Sequence, residues 1–405
     1  MDPVTLEAVK QGNEVVPRLY LDHASTSWPK ATGVIEAMTD FIRDCGVSAS
    51  RGNYTTARKA GELVAHVRGR LSDAICADDP SCISFHGGCT VALNVAIHGI
   101  VPERGRSGDN VITSAVEHNS VLRPLRAATR GTGAELKIIP CQDDGHVDVE
   151  AMTDAIDDRT RLVALTHASN VTGVVQNVTE VGRVIAQRNA EREPSDRIVF
   201  LCDAAQTFGY LPVDVAGLGV HLLAAPAHKG CGGPVGIAML YVHPSLHGVI
   251  EPTIQGGTGH DGLAEQMPLE MPGRLEPGTI NVPAIAGWGA ALERLMPVAG
   301  AFNGLANRLH DGLRSIDGVR VVGGRGELPI ASIDFGPMLS PAEAAAILDS
   351  EFGIEVRSGY HCAALLHECL GTQDGGTLRI SCGHGTTPAD VDRVIQAVKD
   401  IAAEL

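Results

Sequence analysis

The stretch RIVFLCDAAQTFGYLPVDVAGLGVHLLAAPAHKG, residues 197–230, holds two short apolar runs that each end in polar side chains. The first stops at Asp203 and Gln206. The second, within 220–230, stops at His228 and Lys229. Apolar runs without alternation fit strands buried on both faces, which is how a parallel sheet covered by helices reads. Open sheets of that kind collect their chemistry beyond the carboxyl ends of the strands. A carboxylate there costs desolvation unless a cation meets it, and glycines beside Lys229 let backbone approach closely.

The same grammar extends outward in both directions. SCISFHGG (81–88) reads as a strand ending in glycines, and TVALNVAIHGI (90–100) as a helix. DNVITSAVEHNS (109–120) is a strand followed by a polar turn. LKIIPC (136–141), TRLVALTHAS (160–169) and GIAMLYV (236–242) are further strands, with a helix over VDVEAMTDAI (147–156). Strands alternating with helices predict an α/β fold with a mainly parallel sheet. Five strand ends then converge on one rim: 86–90, 117–119, 167–170, 203–206 and 228–229. A polar, Gly-rich segment (255–280) leads to a helix around 283–297. Beyond it, VRVVGG, ASIDFG, IEVRSG and TLRISCG are short strands among helices at 304–316, 341–350 and 388–404. We therefore expect a large domain over 18–285 and a smaller α+β domain over 286–405, joined by the N-terminal segment 1–17.

The chain has 405 residues, ten cysteines, 3% aromatics and a formal net charge of −16. The charge argues against nucleic-acid and anionic-membrane partners. No apolar run approaches a membrane span, and the first residues carry no basic region or apolar core of a signal peptide. A cytoplasmic protein with mostly reduced thiols is expected. No cysteine pair has C-x-x-C spacing, so no zinc ribbon is expected.

Lysine occurs six times, and Lys229 is the one that follows a buried strand. A buried lysine has a depressed pKa and attacks aldehydes. An aspartate for a pyridinium nitrogen and a lysine for an aldehyde are the protein's half of pyridoxal 5′-phosphate chemistry. The turn GGCTVALN (87–94) offers N–H groups at a helix N-terminus for a phosphate. His118 in EHNS is placed to stack on a ring.

With YLDHAST, VEHNSVLRP, HASNVTG, CDAAQ, AHKG, QGGTG, EPGTIN and RSGYHC in this order, the chain resembles the class V aminotransferase family of fold-type I enzymes, and within it the cysteine desulfurases. The resemblance runs from residue 20 to the C-terminus. It implies a homodimer in which Lys229 binds the cofactor aldehyde, Asp203 pairs the ring nitrogen, and Gln206 and Asn170 meet the ring's phenolate oxygen. It implies His118 on the ring face, and Cys89, Thr90 and His228 at the phosphate. Thr258 would reach the other subunit's phosphate. Arg379 would clamp the substrate carboxylate, with Arg357 and His361 at the same mouth. Cys362 would take sulfur from L-cysteine as a persulfide, leave L-alanine, and pass the sulfur to an acceptor protein. The form RSGYHC is closest to the Suf-type (group II) enzymes, which commonly act on selenocysteine as well.

A thiolate nucleophile needs a mobile, polar setting. Glycine in RSGYHC permits motion, and His361 and Arg357 can favour the anion. The chain departs from the family pattern at several positions. Pro226 replaces a Ser or Thr three residues before Lys229, and Cys89 stands where Thr is common. His23 and Ser25 replace Asn and Ala, Ala204 replaces Gly, and Tyr360 replaces the first of a His-His pair. Three other readings stay open: a selenocysteine lyase, another class V reaction on the same cofactor (aminotransferase, epimerase or lyase), and a metal-binding module built from His361, Cys362, His367 and Cys369.

Overall fold

The computed structural model describes residues 9–11, 14–49, 52–258, 263–293 and 302–405. Much of the N-terminal segment 1–17, residues 259–262 of the Gly-rich stretch, and the end of the helix expected at 283–297 lie outside them. That helix spans Val282–Leu292.

The chain enters through a hairpin, β1 (Val9–Gln11) and β2 (Glu14–Val16), and a short strand β3 (Leu19–Tyr20). Seven strands then build the main sheet: β4 (Ile83–His86), β5 (Asn110–Ser114), β6 (Glu135–Ile139), β7 (Thr160–Thr166), β8 (Val199–Asp203), β9 (Leu222–Pro226) and β10 (Ala238–Val242). Their order is β4-β10-β9-β8-β7-β5-β6. β10 runs antiparallel to both neighbours, and the other pairings are parallel. The sheet is thus mainly parallel, as the unbroken apolar runs require. Alternate residues serve opposite cores: Phe200 and Cys202 of β8 join one apolar cluster, Val199 and Leu201 the other.

A second, antiparallel sheet has the order β11-β12-β15-β14, from β11 (Arg320–Val322), β12 (Ile330–Asp334), β14 (Arg357–Gly359) and β15 (Thr377–Ser381). The short β13 (Ile354–Glu355) instead pairs in parallel with β3. Helices 303–314, 341–352 and 388–403 share a third apolar cluster with this sheet. Two of them begin with reciprocal caps, Ser340 with Glu343 and Thr387 with Asp390, each followed by Pro at the first helical position. Such caps satisfy N–H groups the helix cannot. Among the described residues no helix is long and apolar enough to cross a membrane.

Candidate active site

Beyond the carboxyl ends of β7, β8 and β9 lies a cavity of ≈ 410 Å³. The local chain path explains what lines it. β8 delivers Asp203, 4% exposed, whose Oδ1 accepts the Ala205 N–H at 2.9 Å and the Cys89 thiol at 3.9 Å. β9 runs out at Pro226 and leaves Lys229 three residues on, facing the same space. Burial lowers the Lys229 pKa, opposed by the Asp203 carboxylate. Burial likewise raises that of Asp203, opposed by Lys229. Among the described residues nothing hydrogen-bonds the Lys229 amine, so it is a free, partly desolvated nucleophile.

On the opposite wall β4 turns through Gly87-Gly88 into the helix Cys89–Arg104. Gly88 has φ 141, a conformation that favours glycine, and a Cβ there would meet nothing but open space. The first N–H groups of this helix have no partner within it and can receive an anion. The Cys89 side chain turns to Asp203, so its contribution to such a cradle is the backbone N–H. Thr90 Oγ1 bonds Ser120 Oγ at 2.7 Å, and Ser120 in turn meets His118 Nδ1 at 2.8 Å. His118 caps its helix by accepting the Ser120 N–H at Nδ1, which places its ring proton on Nε2. Burial, then Lys229, push the His118 pKa down to about 4, so the ring is neutral. Ser120 was not singled out from sequence. Its signal is the position two residues after the capping histidine.

Gln206 donates to the Ala24 carbonyl at 3.1 Å and leaves its Oε1 buried without a partner. His228 faces the cavity with a buried, unpartnered Nδ1, and burial pushes its pKa down to about 4. Asn170 donates through Nδ2 to the His361 carbonyl at 2.6 Å, and its own carbonyl accepts from Arg379 Nη1 at 3.0 Å. Arg379 is 1% exposed; its Nη2 reaches Asp22 Oδ1 at 2.5 Å and Ser25 Oγ at 2.8 Å. Arg357 Nη1 reaches the same Ser25 Oγ at 2.8 Å.

The structure therefore brings Lys229, Asp203, Gln206, Asn170, His118, Cys89, Thr90, His228, Arg357, Arg379 and His361 to one cavity. Thr258 does not line it. Of the strand-end residues, His86 bonds Ser84, His167 bonds Thr207, and Glu117 is wholly buried; none of these three lines the cavity.

Cys362 is exposed beside the cavity rather than in its wall. It does not ride on a long flexible arm. It sits in the tight connection between β14 and the helix Ala364–Cys369, with Ala363 N–H bonded to the Tyr360 carbonyl at 2.9 Å. The Asn119 N–H holds the Cys362 carbonyl at 2.8 Å. His361 and Cys362 both adopt left-handed backbone, φ 49 and 60. His361 can favour the thiolate only as a neutral ring. His361 is 3% exposed, its Nε2 bonds Thr377, and burial, then Arg379, push its pKa down to about 2. Of His361 and Arg357, Arg357 is the cation.

Among the described residues no three His, Cys, Asp or Glu side chains are grouped to hold a metal. The His367 nitrogens face Thr372 and the Tyr360 carbonyl.

Residues 19–394 match the family described as aminotransferase class-V. The chain is 33% identical over 395 residues to a probable cysteine desulfurase of Methanothermobacter thermautotrophicus, covering 95% of this chain and 94% of that protein. It is 31% identical over 396 residues to a cysteine desulfurase of Escherichia coli, with 95% and 94% covered. An apo cysteine desulfurase structure from Thermococcus onnurineus superposes with a TM-score of 0.86 at 29% identity, covering 96% and 95%. An Escherichia coli cysteine desulfurase structure gives 0.83 at 29% identity with the same coverage.

Proposed function

Since the chain belongs to the class-V aminotransferase family, we infer that it is a cysteine desulfurase, converting L-cysteine to L-alanine and a protein-bound persulfide. The cavity fits pyridoxal 5′-phosphate. A free amine, a buried carboxylate on the adjacent strand, a helix N-terminus opened by Gly88, and the unpartnered polar atoms of Gln206 and His228 are the donor set that this molecule needs. When bound, it supplies an aldehyde that joins amines and a ring that accepts electrons from the substrate's α carbon.

The chain's own residues divide the remaining work. Lys229 would hold the cofactor through its amine, and that amine is also the base this chain offers to a substrate in the cavity. Asp203 would hold the ring nitrogen and, by its negative charge, favour a proton there. Neutral His118, its tautomer fixed by Ser120, would stack on the ring and holds a proton at Nε2. Backbone N–H groups at Cys89 and Thr90, with the Thr90 hydroxyl and His228, would hold the phosphate. Arg379 and Arg357 take the substrate carboxylate. Cys362 Sγ, as thiolate, then attacks the substrate sulfur. An S–S bond forms, the substrate's C–S bond breaks, and its electron pair stays with carbon, which is protonated on the way to alanine. Cys362 is left as a persulfide for an acceptor protein, and its exposed position gives that acceptor access. In a homodimer, Thr258 would reach the phosphate of the other subunit.

The observation that carries this reading is one cavity holding Lys229 and Asp203, with Arg379 in its wall and Cys362 beside its mouth. Mass spectrometry of Cys362 after L-cysteine treatment tests it. One added sulfur on wild-type enzyme, and no alanine from Cys362→Ala, are expected. Undiminished alanine formation by Cys362→Ala would refute the reading.

A further inference from the structure

The two arginines at the cavity mouth are directly opposite each other across an antiparallel pair: Arg357 on β14 is the register partner of Arg379 on β15. Like charges facing across strands repel, so this arrangement persists only if something else stabilises it. Asp22 neutralises Arg379 alone. Among the described residues, the only hydrogen-bond acceptor for the Arg357 guanidinium is Ser25 Oγ. That hydroxyl also accepts from Arg379 Nη2 and donates to Asp22 Oδ1 at 2.9 Å. A hydroxyl has one proton and two lone pairs, so every bond it can make is committed to this cluster. Two cations and one carboxylate leave a positive remainder facing the cavity. The Arg379 Nε is buried without a partner.

We propose that Ser25 is a positioning residue for the substrate carboxylate: its hydroxyl ties Arg357 to Arg379 so that both guanidiniums face the incoming anion. An arginine left free must be ordered at the moment of binding, and that ordering reduces affinity. Both Nη2 hydrogens of Arg379 are engaged, one by Asp22 and one by Ser25. A two-pronged carboxylate contact using Nη2 therefore displaces one of these partners. Ser25 is the neutral one of the two, and it keeps its bonds to Arg357 and Asp22 when it yields. The inference rests on the desulfurase reading only for the identity of the amino acid.

Calorimetric binding of L-alanine to the holoenzyme tests it without turnover. Ser25→Ala should weaken binding roughly three- to tenfold, the cost of ordering one long side chain, and Ser25→Thr, which keeps the hydroxyl, should restore most of it. In steady-state assays with L-cysteine the Ser25→Ala loss should fall on KM more than on kcat. Because Ser25 acts through Arg357, the double variant Ser25→Ala/Arg357→Ala should bind no more weakly than Arg357→Ala alone. Additive losses, wild-type binding by Ser25→Ala, or no binding of L-alanine by wild type would each overturn the proposal. Wild-type enzyme that binds L-alanine but forms no persulfide would overturn the desulfurase reading alone, and the Ser25 comparison would still decide this one.

Discussion

Asp203 and Lys229 leave the carboxyl ends of neighbouring parallel strands and face one cavity, the carboxylate and the amine each shifting the other's proton affinity. Lys229→Ala should abolish the cofactor adduct fixed by borohydride while leaving the chain folded. Asp203→Asn exchanges a charged hydrogen bond for a neutral one. It should weaken cofactor retention by about 1.5–3 kcal/mol, roughly ten- to a hundredfold. Dialysis of the holoenzyme followed by absorbance measures both. An adduct surviving in Lys229→Ala would place the reactive amine elsewhere.

Glu117 is fully buried and does not line this cavity. Its Oε1 accepts the Ser114 hydroxyl and the Thr166 N–H, each at 2.8 Å, and its Oε2 has no partner. Burial, with Asp203 adding, pushes its pKa up to about 8. A carboxyl raised in the folded state stabilises fully below its unfolded value and loses that contribution as pH climbs toward 8. Glu117→Gln should therefore gain on wild type by about 1.4 kcal/mol per pH unit between pH 5 and 8. Urea unfolding across that range reads the difference directly, and a gap that does not change with pH would contradict the assignment.

Buried imidazoles act in the other direction. Burial pushes His86 and His167 down to about 4 and His361 to about 2, so all three are neutral in the fold. Their contribution is complete above the unfolded value near 6.5 and is lost as pH falls below it, by about 1.4 kcal/mol per unit for each group. Replacing His361 by Asn should flatten the decline between pH 6.5 and 5 in the same unfolding series. An unchanged slope would mean that His361 is charged in the native state.

Gly376, at φ 80, backs onto the end of β14; a Cβ there would lie 2.3 Å from the Gly359 carbonyl carbon. Backbone strain alone costs on the order of 1–3 kcal/mol. Gly376→Ala should lower Tm and slow persulfide formation, because β14 leads straight into the turn bearing Cys362. Loss of Tm with full sulfur transfer would show that the turn is positioned independently of this contact.

The parallel strands and most of the cavity wall were legible because their signals are local. Unbroken apolar runs mark strands buried on both faces, and polar residues at their ends mark the rim. The antiparallel course of β10 was not, since a fully apolar run such as GIAMLYV carries no direction. The anchored turn at Cys362 was missed because left-handed backbone at His361 and Cys362 has no sequence mark, whereas the glycine before them suggested motion. The neutrality of His361 depends on Thr377 and Arg379, which the local motif does not contain. Ser25 was visible as a departure from the family, but its partners are remote in sequence.

The pairing of β3 with β13 and the bond between Ser25 and Arg357 join parts of the chain separated by 332 positions in the latter case. During synthesis on a ribosome the main sheet, complete by Val242, can collapse while the rest is still being translated. The wall formed by Arg357 and Arg379 cannot, because both arginines are made only after the whole of that sheet. A nascent chain thus passes through a stage in which Asp203 and Lys229 are in place while both arginines are still missing.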